Sequence, residues 1–138
     1  MEGISMTDSL FSDVSMVTAQ AALNGLSRRQ QAISRNIANI DTPGYQAVTV
    51  DFQGTLDRLV GNETGELPLK LTNEAHLATA ESENFFQTEL RPGGSFRADQ
   101  NNVDIDTEMA DMTEAGIQYQ ALSQSVSQKL LLLKSLAK

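Results

Sequence analysis

The chain has 138 residues, 40% of them hydrophobic and 20% charged, with a net charge of -8 and no cysteine. That length supports one domain with a modest core, and the acidic balance excludes a nucleic-acid binder, which must neutralise phosphates with Lys and Arg. Disulfides, thiolate catalysis and Cys-based zinc sites are excluded as well, while 5% aromatics and no Trp point to narrow aliphatic seams rather than a bulky core.

Residues 1–17 mix polar and apolar groups and include Asp8 and Asp13. They contain neither a basic-then-apolar leader nor a run near the ~20 apolar residues of a membrane span, so any export is expected without a cleaved signal. From Met16 the apolar residues fall at Met16, Ala19, Leu23, Leu26, Ile33, Ile37 and Ile40, with Gln30 at the interrupted step. This is a heptad seam. Asp8 or Ser9 is placed to cap the helix, and Arg28, Arg29 and Arg35 lie toward its C-terminal end, where the macrodipole favours cations. A helix over about residues 8–39 would be roughly 48 Å long at ~1.5 Å per residue, weakened by about 1 kcal/mol at Gly25 relative to alanine.

The stretch Asn36 to Tyr45, N-I-A-N-I-D-T-P-G-Y, stops that helix and turns the chain. Asn36 and Asn39 stand in its last turns, and Asn39 is expected in the left-handed conformation that ends many helices. Asp41 and Thr42 then lead into Pro43, which cannot continue a helix and biases Thr42 toward extended geometry. Pro43 and Gly44 suit the central positions of a type II turn.

Val48 and Val50 suggest a short extended piece, and Asp51 is placed to cap a helix whose Phe52, Leu56, Leu59 and Val60 share a face. The alternation at Leu67, Leu69 and Leu71 reads as an edge strand because of Pro68. Residues 85–91 and 95–98 flank Pro92-Gly93-Gly94, which predicts a hairpin.

The helical pattern returns from Asp106 to Lys138. Ile105, Met109, Met112, Gly116, Tyr119, Val126, Leu130 and Leu133 keep 3–4 steps when Ser123 is given a seam position, and Leu122, Leu132 and Leu136 widen the stripe. Acidic residues from Asp104 to Glu114 crowd its start, and Lys129, Lys134 and Lys138 its end. Antiparallel pairing of the two long helices sets arginines beside carboxylates, whereas parallel pairing sets like charges together. The fold expected is mainly α: long terminal helices packed as an antiparallel coiled-coil-like hairpin, with a small irregular, lightly β middle. The divisions are 1–40, 41–104 and 105–138. The apolar residues of both helices, Leu23, Leu26, Ile33, Ile37, Met109, Met112, Tyr119, Val126, Leu130 and Leu133, form the expected assembly seam, since two helices cannot cover so broad a stripe.

No catalytic pattern is present. His76 is the single histidine, and with Glu74 it falls short of the three or four ligands of a zinc site. The carboxylates of D-I-D-T-E-M-A-D lack the glycine and spacing of an EF-hand. Nucleophile elbows, phosphate loops and metalloprotease helices are missing. Asn62-Glu63-Thr64 matches a glycosylation acceptor by chance composition.

The motifs themselves resemble a known family. N-I-A-N-I-D-T-P-G-Y-Q-A at Asn36 to Ala47, Asp51-Phe52, L-K-L-T with a following H-L at Leu69 to Leu77, and N-N-V-D-I-D-T-E-M-A with a following Y-Q-A-L at Asn101 to Leu122 are similar to those of bacterial flagellar axial proteins, the rod and hook family. The short, proximal rod members are the nearest in size. The resemblance implies a structural subunit with no cofactor, metal, small-molecule substrate or catalysis, exported by the flagellar type III apparatus and polymerised as a periplasmic tube of the basal body. It implies as partners other copies of the chain, the neighbouring rod protein FlgC, the adaptor FliE and the membrane-ring protein FliF. A soluble helical adaptor or export chaperone is the alternative, and it would not need the turn signature.

Overall fold

The computed structural model describes residues 14–61 and 86–136. Helix α1 (Val14–Ala38), strand β1 (Val48–Val50), helix α2 (Phe52–Gly61), strand β2 (Thr88–Leu90) and helix α3 (Ile105–Leu136) follow in order. The proposed caps Asp8 and Ser9, the strand Leu67 to Leu71, Asn62, and His76 with Glu74 lie outside the described residues.

The long helices α1 and α3 pack antiparallel, as the charge pattern requires. Near the hinge Arg29 lies 3.9 Å from Asp111 and 3.6 Å from Glu114, and toward the open end Lys129 Nζ meets Ser15 Oγ. The ion pairs are long and partly exposed, so each contributes about 0–1 kcal/mol and chooses orientation more than it stabilises.

The line of contact is turned relative to the heptad stripes. On α1, Ala22, Leu26, Ile33 and Asn36 are buried, and Leu23 and Ile37 are half-buried. On α3, Glu108 and Ala115 are buried, Met112, Val126 and Leu133 are half-buried, and Met109, Tyr119 and Leu130 are exposed. The cause is polar. Drawing the Glu108 carboxylate into the interior rotates α3 so that the row through residues 108, 112 and 115 faces α1, instead of the row through 105, 109 and 116.

Strands β1 and β2 form an antiparallel ribbon in the register Val48↔Leu90, Thr49↔Glu89 and Val50↔Thr88. The predicted hairpin between residues 85–91 and 95–98 is therefore not formed. β2 pairs back to β1, which α1 already holds, while Gly93 and Gly94, at φ +79° and +100°, carry the chain away and residues 95–98 stay exposed. Ribbon and α2 cover one side of the helical pair. Phe86 packs there with Ala32 and Val50, flanked by Val48 and Phe52, and its ring stacks on Phe52 at 5.7 Å between centroids.

Asp51 caps α2, its Oδ1 accepting from Gly54 N at 3.0 Å. This helix turns Phe52, Thr55 and Leu56 inward, and Val60, 59% exposed, lies off the expected face.

Gly25 has a packing reason. A Cβ there would sit 2.6 Å from the Phe86 ring, so the glycine lets the ring lie against the α1 backbone. Gly25→Ala should gain about 1 kcal/mol of helix propensity and lose more, about 1–3 kcal/mol, by displacing Phe86. The expected outcome is a lower urea midpoint; a higher one would show that the ring shifts at no cost.

Candidate functional site

The hinge begins where α1 unwinds. Asn39 N donates to Asn36 O at 3.1 Å, Ile40 N to Ile37 O at 3.3 Å, and Thr42 N to Asn39 O at 3.1 Å, tightening the last turn. Among the described residues Gln100 is the non-glycine with positive φ, so Asn39 is not left-handed as expected. Its side chain caps instead. Nδ2 donates to Arg35 O at 2.8 Å and Oδ1 accepts from Thr42 Oγ1 at 3.1 Å, which satisfies a terminal carbonyl without the left-handed turn. Asp41 is exposed. The Pro43-Gly44 turn closes with Tyr45 N donating to Thr42 O at 3.2 Å and Gly44 at φ +73°, the geometry of a type II turn.

This turn is bound to the start of α3 by buried asparagines. Asn101 Nδ2 points at the carbonyls of Asn39, Ile40 and Thr42 at 2.9, 3.1 and 3.0 Å, and its Oδ1 accepts from Val103 N at 2.8 Å. The guanidinium of Arg97 also donates to Ile40 O. Asn102 Oδ1 accepts from Ala47 N at 2.6 Å, and Gly44 N donates to Asp99 O at 2.7 Å. Next, Asp104 caps α3, its Oδ1 accepting from Asp106 N at 3.0 Å. A turn with Gln100 at φ +65° presents these residues, Gln100 N donating to Arg97 O and Arg97 N to Asn101 O.

Asn36 is the centre. Its amide pairs with the Val48 peptide in both directions, Val48 N donating to Oδ1 and Nδ2 donating to Val48 O, each at 2.8 Å. Nδ2 also reaches Glu108 Oε2 at 3.1 Å, and Oδ1 accepts from Tyr45 Oη at 3.1 Å. Glu108, 0% exposed, faces Arg91 Nη1 at 2.8 Å through its other oxygen, an approach of charge rather than of an aligned N–H. Arg91 continues to Asp111 at 3.2 Å, and Arg91 N donates to Ala47 O at 2.8 Å. One amide thus joins a helix, a strand, a turn and the second helix.

Of the hinge residues, Asn36, Asn39, Thr42, Gly44 and Tyr45 enter this network through side chain or backbone. Asn101, Asn102, Glu108 and Arg91 were not in the expected site. The first three stand in N-N-V-D-I-D-T-E, where paired asparagines before an acidic helix start were the available signal. Arg91 has no local signal, since its role depends on β2 pairing with β1.

The joint has no reaction chemistry. A cleft of about 320 Å³ beside it is lined by Arg29, Arg91, Asp111 and Glu114, which already pair with one another. Among the described residues, no group of three or more His, Cys, Asp or Glu is placed to hold a metal ion, and no helix is long and apolar enough to cross a membrane.

The family profile described as "Flagella basal body rod protein" matches residues 16–46, which span most of α1 and the hinge. The chain is 36% identical to the flagellar basal body rod protein FlgB of Bacillus subtilis over 121 residues, 86% of this chain and 91% of that one. It is 36% identical to FlgB of Salmonella typhimurium and 33% identical to FlgB of Escherichia coli, each over 112 residues, 78% of this chain and 81% of the relative. The chain belongs to the FlgB family of flagellar basal-body rod proteins. Its members are structural proteins and not enzymes, as the sequence led us to expect.

Burial raises the Tyr45 phenol above its ordinary value, opposed by Arg35 and reinforced by the Glu108 charge. The folded state therefore holds this proton more tightly than the unfolded state. Its contribution is complete below the reference pKa of 10.0 and is lost as pH rises through the raised folded value. Urea midpoints should fall above pH 10, and Tyr45→Phe should flatten that fall; an unchanged slope would remove Tyr45 from the joint's energetics. Asn36→Asp keeps the shape but sets a carboxylate against Glu108, and should cost about 3–5 kcal/mol. Urea unfolding near neutral pH checks it, and a cost below about 1 kcal/mol would mean that the joint opens locally.

Proposed function

We propose that this chain is a structural subunit of the proximal flagellar rod, exported by the flagellar type III apparatus and polymerised in the periplasm as part of the shaft for motility. Residues 1–40 and 105–138 supply the shaft helices, and residues 41–104 leave the shaft at the angle set by the Asn36-to-Tyr45 hinge. Its partners are further copies of itself, FlgC, FliE and FliF. The observation that carries this reading is the apolar surface left open on α3: Leu131 and Leu132 are 65% exposed and Leu136 82%. Consecutive leucines at 100° steps cannot all face α1, and such a surface on one chain fits a subunit that is covered by neighbours. Heterologous contacts that do not close generate a helical tube.

A strain lacking the chain should be non-motile, with basal bodies that lack a rod, and the wild-type copy should restore both. Leu132→Asp changes an exposed residue, so the isolated fold should persist within about 0.5 kcal/mol while restoration of motility fails. Normal rods in the deletion strain would overturn the reading.

A further inference from the structure

Strand β1 has an edge that the ribbon does not use. The register Thr49↔Glu89 and the bond from Arg91 N to Ala47 O turn the carbonyls of Ala47 and Thr49 toward β2, so the N–H and C=O groups of Val48 and Val50 face the other way. Asn36 meets those of Val48, its carboxamide standing in for a strand. Val50 comes two residues later, is 5% exposed, and has no such partner among the described residues. Buried backbone groups are seldom left unpaired.

Val50 lines the cleft of about 320 Å³ beside the joint, and Gln118 on α3 lines it too. Gln118 Nε2 donates to Glu114 Oε1 at 3.0 Å, but Gln118 Oε1 is buried and accepts from nothing among the described residues. This is a second, independent unmet group. The charges point the same way. Arg91 serves buried Glu108 at 2.8 Å and Asp111 at 3.2 Å, and Arg29 stands 3.9 Å from Asp111 and 3.6 Å from Glu114, beyond hydrogen-bond length. With Asp51 also in the lining, these two cations face more carboxylates than they can neutralise.

We propose that this cleft docks an extended segment of another protein, with a lysine of that segment opposite Val50. The lysine's backbone N–H and C=O pair with Val50 as Asn36 pairs with Val48, a strand addition one residue long. Side chains opposite one another on paired strands share a face, so the lysine follows the Val50 side chain toward the helical pair. There its ammonium, a compact group with three donors, meets Gln118 Oε1 and the carboxylates of Asp111 and Glu114. The volume lies near the lower end for ligand pockets, which suits one residue with its flanking peptides and excludes a helix. Copies of this chain, each with a net charge of -8, repel one another, so a basic segment comes from a different protein.

The full chain, isotope-labelled for amide NMR, is titrated with the capped tripeptide acetyl-Ala-Lys-Ala-methylamide. The Val50 amide and the Gln118 side-chain amide should shift and saturate together. Exchanging the lysine for glutamate, or methylating its peptide nitrogen, should each weaken binding roughly tenfold. Gln118→Leu removes an acceptor that the fold itself does not use; it should weaken the lysine peptide by a similar factor and leave resonances outside the cleft in place. No saturable shift at Val50, equal binding of either altered peptide, or wild-type affinity in the leucine variant overturns the proposal. The source of the segment is read in cells that depend on the chain for motility, with photoreactive benzoylphenylalanine in place of Gln53, an exposed residue of the cleft lining. In isolated basal bodies the linked peptide should come from a different protein and contain a lysine; a link to another copy, or none, overturns the docking. The titration does not rest on the rod reading. Absence of the chain from basal bodies would defeat that reading and leave the titration to decide the cleft.

Discussion

A carboxylate with no exposure to water, Glu108, decides how this chain is arranged. A buried charge is tolerated only when its partners are in place. Those partners come from two separate regions: Asn36 at the end of α1 and Arg91 after β2. Meeting both of them fixes the rotation of α3, the position of the ribbon and the level at which the helices cross. The apolar contacts then fill a geometry that the polar ones define. This is the role of a buried polar group as a register device.

Stability is therefore unevenly distributed. Near the hinge, Asn36, Ala47, Asn101 and Asn102 are buried and bonded, and Phe86 closes the ribbon side. Toward the other end the fully buried residues give out: Ala115 is the last on α3 and Ala22 the first on α1 among the described residues. The described structure is thus a firm joint that carries two more lightly buried arms.

The long helices, their antiparallel pairing, the stop near Ala38, the Asp51 cap and the Pro43-Gly44 turn were legible because each rests on local spacing or on a residue with restricted backbone freedom. The rotation of α3 was not. Met109 and Tyr119 satisfy the heptad as well as Ala115 does, and nothing local says that Glu108 turns inward until Arg91 and Asn36 are seen beside it. Strand pairing failed for a related reason. Pro92-Gly93-Gly94 has turn composition, but the preferred partner of Thr88–Leu90 is a strand far earlier in the chain, already held by Asn36. Asn39 shows the limit of residue preference, since its amide caps the helix through its side chain where the backbone was expected to twist.

The span of the Asn36–Glu108 contact, 72 residues, bears on the order of folding. Closing a loop of that size costs about 4 kcal/mol of chain entropy before any contact is made, whereas the other bonds of Asn36, to Val48 and Tyr45, close loops of 12 and 9 residues. The first hundred residues cannot complete the structure by themselves. The joint is complete only when the segment after Asn101 is present, so its last bonds are set by where Asn101, Asn102 and Glu108 stand in the sequence.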